Sequence, residues 1–148
     1  MSIFMKHGDV TGAVSHTQHI GWIDVLSFNL GMENAVSIGT GRISGTGRAL
    51  YTGYQLVRFA DEATPMLMAM ASNSQIAPQT AFNFLKSDSN TGMDAVVYAF
   101  EFHDVVIQKL DVEFEDGRYI ERMQCLFKRI DVTHLPSGNG FGDEVPDH

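Results

Sequence analysis

Histidine and cysteine are the side chains that most readily move protons, attack carbon or hold a metal near neutral pH. The chain has six histidines and one cysteine. His16 and His19 lie three positions apart. On a helix that spacing supplies half a metal site, but residues 12–19 read as a polar loop, and no cysteine or carboxylate pair completes four ligands. His103 and Asp104 are neighbours on a strand-patterned run, so their side chains point to opposite faces and do not form a base with its orienting carboxylate. Cys125 alternates with apolar residues and reads as a small buried hydrophobe. The run from Gly39 through Gly41 to Gly45 has the look of a dinucleotide loop, with the spacing off by one and a strand pattern after it instead of a helix. No serine sits in a Gly-x-Ser-x-Gly elbow, and no phosphate-loop Gly-Lys-Ser/Thr occurs. These readings predict a protein that is not an enzyme and has no catalytic residue, no cofactor-binding residue and no metal ligand.

The elements around these residues read mainly as strands. Residues 3–6 and 22–30 alternate, with Leu26, Phe28 and Leu30 on one face and Ser27 and Asn29 on the other. Residues 36–53 carry five glycines and two arginines between strand-patterned flanks. A structureless connection beyond roughly 12–15 residues is uncommon in a compact domain and usually has a function. This stretch is read as an extended glycine-rich loop that touches other copies of the chain. Arg42 and Arg48 project from it in an acidic protein, and two readings stand for them: solubility, or pairing with carboxylates of a neighbouring copy.

Residues 61–72 form the one convincing helix, with Thr64 as N-cap, Pro65 at the first helical position, and Met66, Leu67 and Met70 turned to the core. Residues 80–86 read as a strand. Residues 96–114 are strand-like over a length far above the usual five or six, which predicts a bend or break near Asp104, or a projecting arm. Asp116-Gly117 is a two-residue hairpin turn. On the returning run the buried parity changes at Lys128-Arg129, which predicts a β-bulge or a strand passing from one sheet to the other. Residues 136–148 are read as a flexible acidic C-terminal tail behind a single domain spanning 1–135. Trp22, the only tryptophan, serves either the core or a subunit contact.

A chain of 148 residues fits one domain and needs no disulfide or metal to hold it. A single cysteine rules out an intramolecular disulfide and fits a reducing compartment. The net charge of -8 argues against nucleic acid and against anionic membrane surfaces as partners. The first ten residues lack an apolar run of signal-peptide length, and no stretch approaches the roughly 20 apolar residues that span a bilayer. Export, if it happens, is expected to take the folded protein by a route that reads no N-terminal signal.

Several blocks resemble the Hcp family (haemolysin-coregulated protein), the tube proteins of the bacterial type VI secretion system. Phe4, Lys6, Gly8, Asp9 and Gly12 are similar to that family's opening block. His19, then Ile23 to Leu26 and Gly31-Met32, are similar to its second. Phe59, Asp61, Ala63, Thr64, Pro65 and Leu67 match the approach to its helix, and residues 121–132 fit its final strand. The resemblance runs from residue 3 to about 135 and departs from the family's purer glycine-serine loop at Arg42, Ile43, Arg48 and Tyr51.

The resemblance implies two antiparallel sheets packed into a β-barrel with one flanking α-helix and an extended loop. It implies homo-hexameric rings that stack into a tube, driven out of the cell by a contractile sheath, tipped by a VgrG-type spike and able to hold small effectors in the lumen. No cofactor is implied. Localisation is then cytoplasmic when assembled and secreted afterwards. By position, Gly39, Gly41, Arg42, Gly45, Gly47, Arg48 and Tyr51 fall where subunits touch, and Ser27 and Asn29 where the lumen is lined. Two alternatives remain: a contractile phage-type tail tube protein of the same architecture, and a monomeric β-barrel that binds a small ligand.

Overall fold

The computed structural model describes residues 2–39, 42–87 and 94–145, with side chains outside 35–48 and 115. In chain order the elements are β1 Ser2–His7, β2 Ile23–Val25, β3 Ser27–Gly39, β4 Arg42–Phe59, α1 Thr64–Ser72, β5 Ala77–Ser87, β6 Asp94–Glu115, β7 Arg118–Leu126, β8 Arg129–His134 and β9 Asn139–Glu144. The strands run in the order β2-β1-β5-β6-β7-β4-β3, and β8 and β9 branch from β6. All pairings are antiparallel.

One strand makes two layers out of this sheet. Up to Val105, β6 pairs with β5 on one side and β8 on the other. From Val106 onward it pairs with β7. Between these halves Asp104 takes a φ of 53°, a left-handed turn of the backbone that few non-glycine residues adopt. The predicted bend is therefore real. Its consequence is a strand shared by both layers. The return path behaves alike: β7 belongs to the second layer, β8 to the first, and the crossing falls at Phe127-Lys128, close to the predicted parity switch. The barrel expectation needs correction on one point. The sheet folds back on itself without closing, because β2 and β3 end the order and do not pair with each other.

Aromatic rings fasten the layers. Tyr54 of β4 meets Phe102 of β6 at 4.6 Å, and Phe28 of β3 meets Phe82 of β5 at 4.7 Å between centroids. Such pairs add about 0.5–1.5 kcal/mol beyond the area they bury. Met5, Ile23, Leu56, Val105, Met123, Cys125 and Ile130 complete the core.

Four sequence expectations change. The 22–30 run is two strands, because the chain breaks at Leu26 and passes from pairing with β1 to pairing with β4. Leu26 consequently stays 47% exposed and does not share the buried face of Phe28 and Leu30. The helix begins at Thr64, with Ala63 at the cap and no side-chain cap bond. Met66 and Met68 are exposed, and only Leu67 and Met70 of that apolar group are buried. Residues 139–144, read as part of a tail, pair with β8 as an added strand.

The Thr64 hydroxyl is occupied by a buried ion pair. Arg58 Nε donates to Glu121 Oε1 at 2.9 Å, and Arg58 Nη2 donates to Glu121 Oε2 at 3.2 Å and to Thr64 Oγ1 at 3.0 Å. Thr64 Oγ1 in turn donates to Glu121 Oε2 at 2.8 Å. Arg58 Nη1 reaches Asp61 Oδ1 at 3.0 Å. Both ends of the Arg58–Glu121 pair are fully buried. The network ties β4 and β7 to the first turn of α1.

Candidate assembly surfaces

The glycine-rich stretch is not a loop. Residues on both sides of it pair in register, from Ser27 with Val57 out to Gly39 with Arg42, with shifts near Leu30 and Asn34. On its other edge β4 pairs with β7 only from Tyr54 to Phe59. Residues 31–39 and 42–53 thus form a two-stranded ribbon that runs beyond the sheet. Twelve residues of β4 correspond to roughly 40 Å at 3.3 Å per residue. Neither ribbon edge has a strand partner among the described residues. A lone two-stranded ribbon is marginally stable in water, and its open edges invite pairing.

Gly39, Arg42, Gly45, Gly47 and Arg48 all lie on this ribbon, while Gly41 falls outside the described residues. Tyr51 sits at its root. Its hydroxyl donates to Asp143 Oδ2 at 2.7 Å, and its ring meets Phe127 edge-on at 5.5 Å. Burial and the neighbouring carboxylate hold the phenol above its usual range. Tyr51 therefore joins the ribbon to β9 of its own chain.

Ser27 and Asn29 are exposed, as their parity predicts. The register extends them into rows across the second layer. Asn29 stands opposite Gln55, Gln55 opposite Gln124, and Gln124 opposite Lys109. Ser27 stands opposite Val57, then Arg122 and Asp111. Lys109 and Asp111 pair at 3.5 Å, and Arg122 pairs with Glu113. The middle rows of this outer face are thus amides and compensated charges, with Phe59 and Leu126 exposed on the same parity at its margins. Alternation along β4, β6 and β7 marks Gln55, Gln124 and Lys109 as outward, but only the register shows that they continue the row of Asn29.

The residues with chemical potential are held in structural contacts. His16 and His19 do converge, with their Nδ1 atoms 3.0 Å apart, and His19 Nε2 bonds Asn83 Nδ2 at 2.9 Å. The rings of Phe4 and Trp22 pack on them. No group of three or more histidine, cysteine or acidic residues suited to a metal occurs among the described residues. His103 turns to Glu101 and Asp131, each at 3.3 Å, and not to Asp104. Burial pushes the Cys125 thiol up to about 12, so thiolate chemistry is suppressed near neutrality.

Residues 4–134 match the family model described as type VI secretion system effector, Hcp. The chain belongs to the Hcp family. Its fold is similar to that of Hcp1 from the E. coli EAEC pathovar, at 18% identity and a TM-score of 0.83, covering 97% of this chain and 96% of that one. It is similar to a type VI secretion system effector from Yersinia pestis, at 18% identity and a TM-score of 0.77, covering 97% and 99%. It is also similar to the secreted protein Hcp3 from Pseudomonas aeruginosa, at 16% identity and a TM-score of 0.76, covering 99% of each chain. No curated protein sequence matches the chain. Hcp proteins are secreted structural parts of type VI systems, and the family assembles into rings.

Proposed function

We propose that this Hcp chain is the inner-tube subunit of a type VI secretion system: six copies close a ring, rings stack, and the stack is expelled by a contractile sheath behind a VgrG-type spike. The outer face of the second layer, with Ser27 and Asn29, lines the lumen and passes small effector proteins. The chain is assembled in the cytoplasm and leaves by the type VI route. Gly39, Gly41, Arg42, Gly45, Gly47 and Arg48 meet the adjoining copy, and Tyr51 fixes the root of the ribbon.

The observation that supports this reading is the ribbon of residues 31–53, whose open backbone edges run past the sheet. Unpaired strand edges are either blunted or used, and a copy of the same chain covers them wherever a head-to-tail contact repeats. Rows of amides and paired charges across the outer face suit a wall that moving cargo must not grip. Deleting residues 39–47 tests the assignment. The variant should keep its far-ultraviolet spectrum and cooperative melt yet lose ring or tube assembly in light scattering. Intact, stacking rings in the deletion variant would make the ribbon a mere connector.

A further inference from the structure

Two separate apolar surfaces of the chain stay open to solvent. The first is the tip of the β6–β7 hairpin. Phe114 and Tyr119 stand opposite each other in the register, 65% and 62% exposed, with their rings edge-to-face at 5.3 Å. The turn between them holds Asp116 at a φ of 50° and Gly117 at 76°, a tight geometry that keeps the tip rigid. The second is a groove of about 690 Å³ between α1 and the start of β5, lined among others by Lys6, Asp9, Trp22, Met66, Met70 and Ile76.

We propose that this groove receives the β6–β7 tip of a second copy of the chain. The tip is held out of its own groove: β6 and β7 stay paired up to the turn, and Tyr119 O accepts from Ala60 N at 3.0 Å, which fixes the hairpin beside the segment that leads into α1. A knob and a pocket at separate places on one chain make a heterologous contact, the kind that closes rings or extends stacks. The charges are complementary. Lys6 and Asp9 at the groove have no ion-pair partner among the described residues, and neither does Asp116 at the tip. Arg118, over the Phe59 ring at 5.2 Å, is the tip's cation. Lys6 thus faces an acid and Asp9 a base when the tip docks. A pre-ordered hairpin loses little freedom on docking.

This inference rests on the ring-and-tube reading and names one of its contacts. The test is charge reversal with rescue, read by light scattering and negative-stain imaging of the full chain. Lys6→Glu and Asp116→Lys should each weaken assembly about tenfold, and the double variant should recover it. Independently, Ile76→Cys with Phe114→Cys should give an intermolecular disulfide under oxidation, and neither single variant should. All four positions are exposed or lie at a groove rim, so melting curves should match the parent, except for a small loss in Asp116→Lys, which puts lysine at a φ of 50°; the double variant carries the same loss, so its recovery of assembly still reads the contact. Rings or stacks that persist unchanged in both single reversals, or a double variant no better than either single, overturn the contact while leaving the ring reading intact. A wild-type chain that stays monomeric overturns both.

Discussion

At the scale of single residues, the Arg58–Glu121 pair decides most. Removing one partner of a buried pair strands the other charge away from water, at about 3–5 kcal/mol, whereas replacing both with apolar groups is often neutral. Glu121→Gln should therefore lower the unfolding free energy measured by denaturant titration by that order, and Arg58→Met with Glu121→Leu should recover most of the loss. A signal for this pair lies in the sequence. Arg58 shares parity with Tyr54 and Leu56, and Glu121 shares it with Met123 and Cys125, so opposite charges occupy core positions on two strands that pair. What alternation alone withholds is that these strands are neighbours.

His7 supplies a pH dependence. Burial lowers its pKa from 6.5 to about 4, so the unfolded chain takes up a proton that the folded chain refuses. The stabilisation is complete above pH 6.5 and is lost as the pH falls from 6.5 through 4. Burial and the facing His16 ring also lower the pKa of His19, which acts in the same direction. A gap of this size corresponds to on the order of 3 kcal/mol at the acid end. Melting temperatures measured between pH 7 and pH 4 should fall steeply in the parent and less steeply in His7→Asn.

At the scale of elements, what could be read locally was read. The Asp116-Gly117 turn, the helix near Pro65, the bend at Asp104 and the crossing near Lys128 each leave a signature within a few residues. The β3–β4 ribbon does not. Its glycines carry little strand preference, and strand character at such positions comes from the residues opposite. Residues 139–144 become a strand for the same reason: the edge of β8 is there to pair with. Gly53 shows how closely these strands approach. It has a φ of 86°, and a Cβ there would lie 2.1 Å from the Cys125 carbonyl oxygen. Gly53→Ala should cost about 2 kcal/mol or more in chemical denaturation, and a neutral result would mean that β4 and β7 can separate at this point without loss.

At the scale of the whole molecule, the unclosed order of the sheet is the feature with consequences. One end is β3, whose outer edge has no strand partner among the described residues from the body of the fold out along the ribbon. The other end is β2, three residues long. Family membership was legible because blocks of residues in the right order span nearly the whole chain. The assembly surfaces were legible only in part. Glycine and arginine between residues 36 and 53 marked the place, and the parity of Ser27 and Asn29 marked a face. Rows such as Asn29, Gln55, Gln124 and Lys109 exist only once four strands have found their register.

The central claim is that copies of this chain complete one another. Negative-stain imaging of the purified protein across a concentration series addresses it most directly. Six-fold rings with an open centre, stacking end to end as concentration rises, are the predicted result. Single compact particles at every concentration would contradict the account.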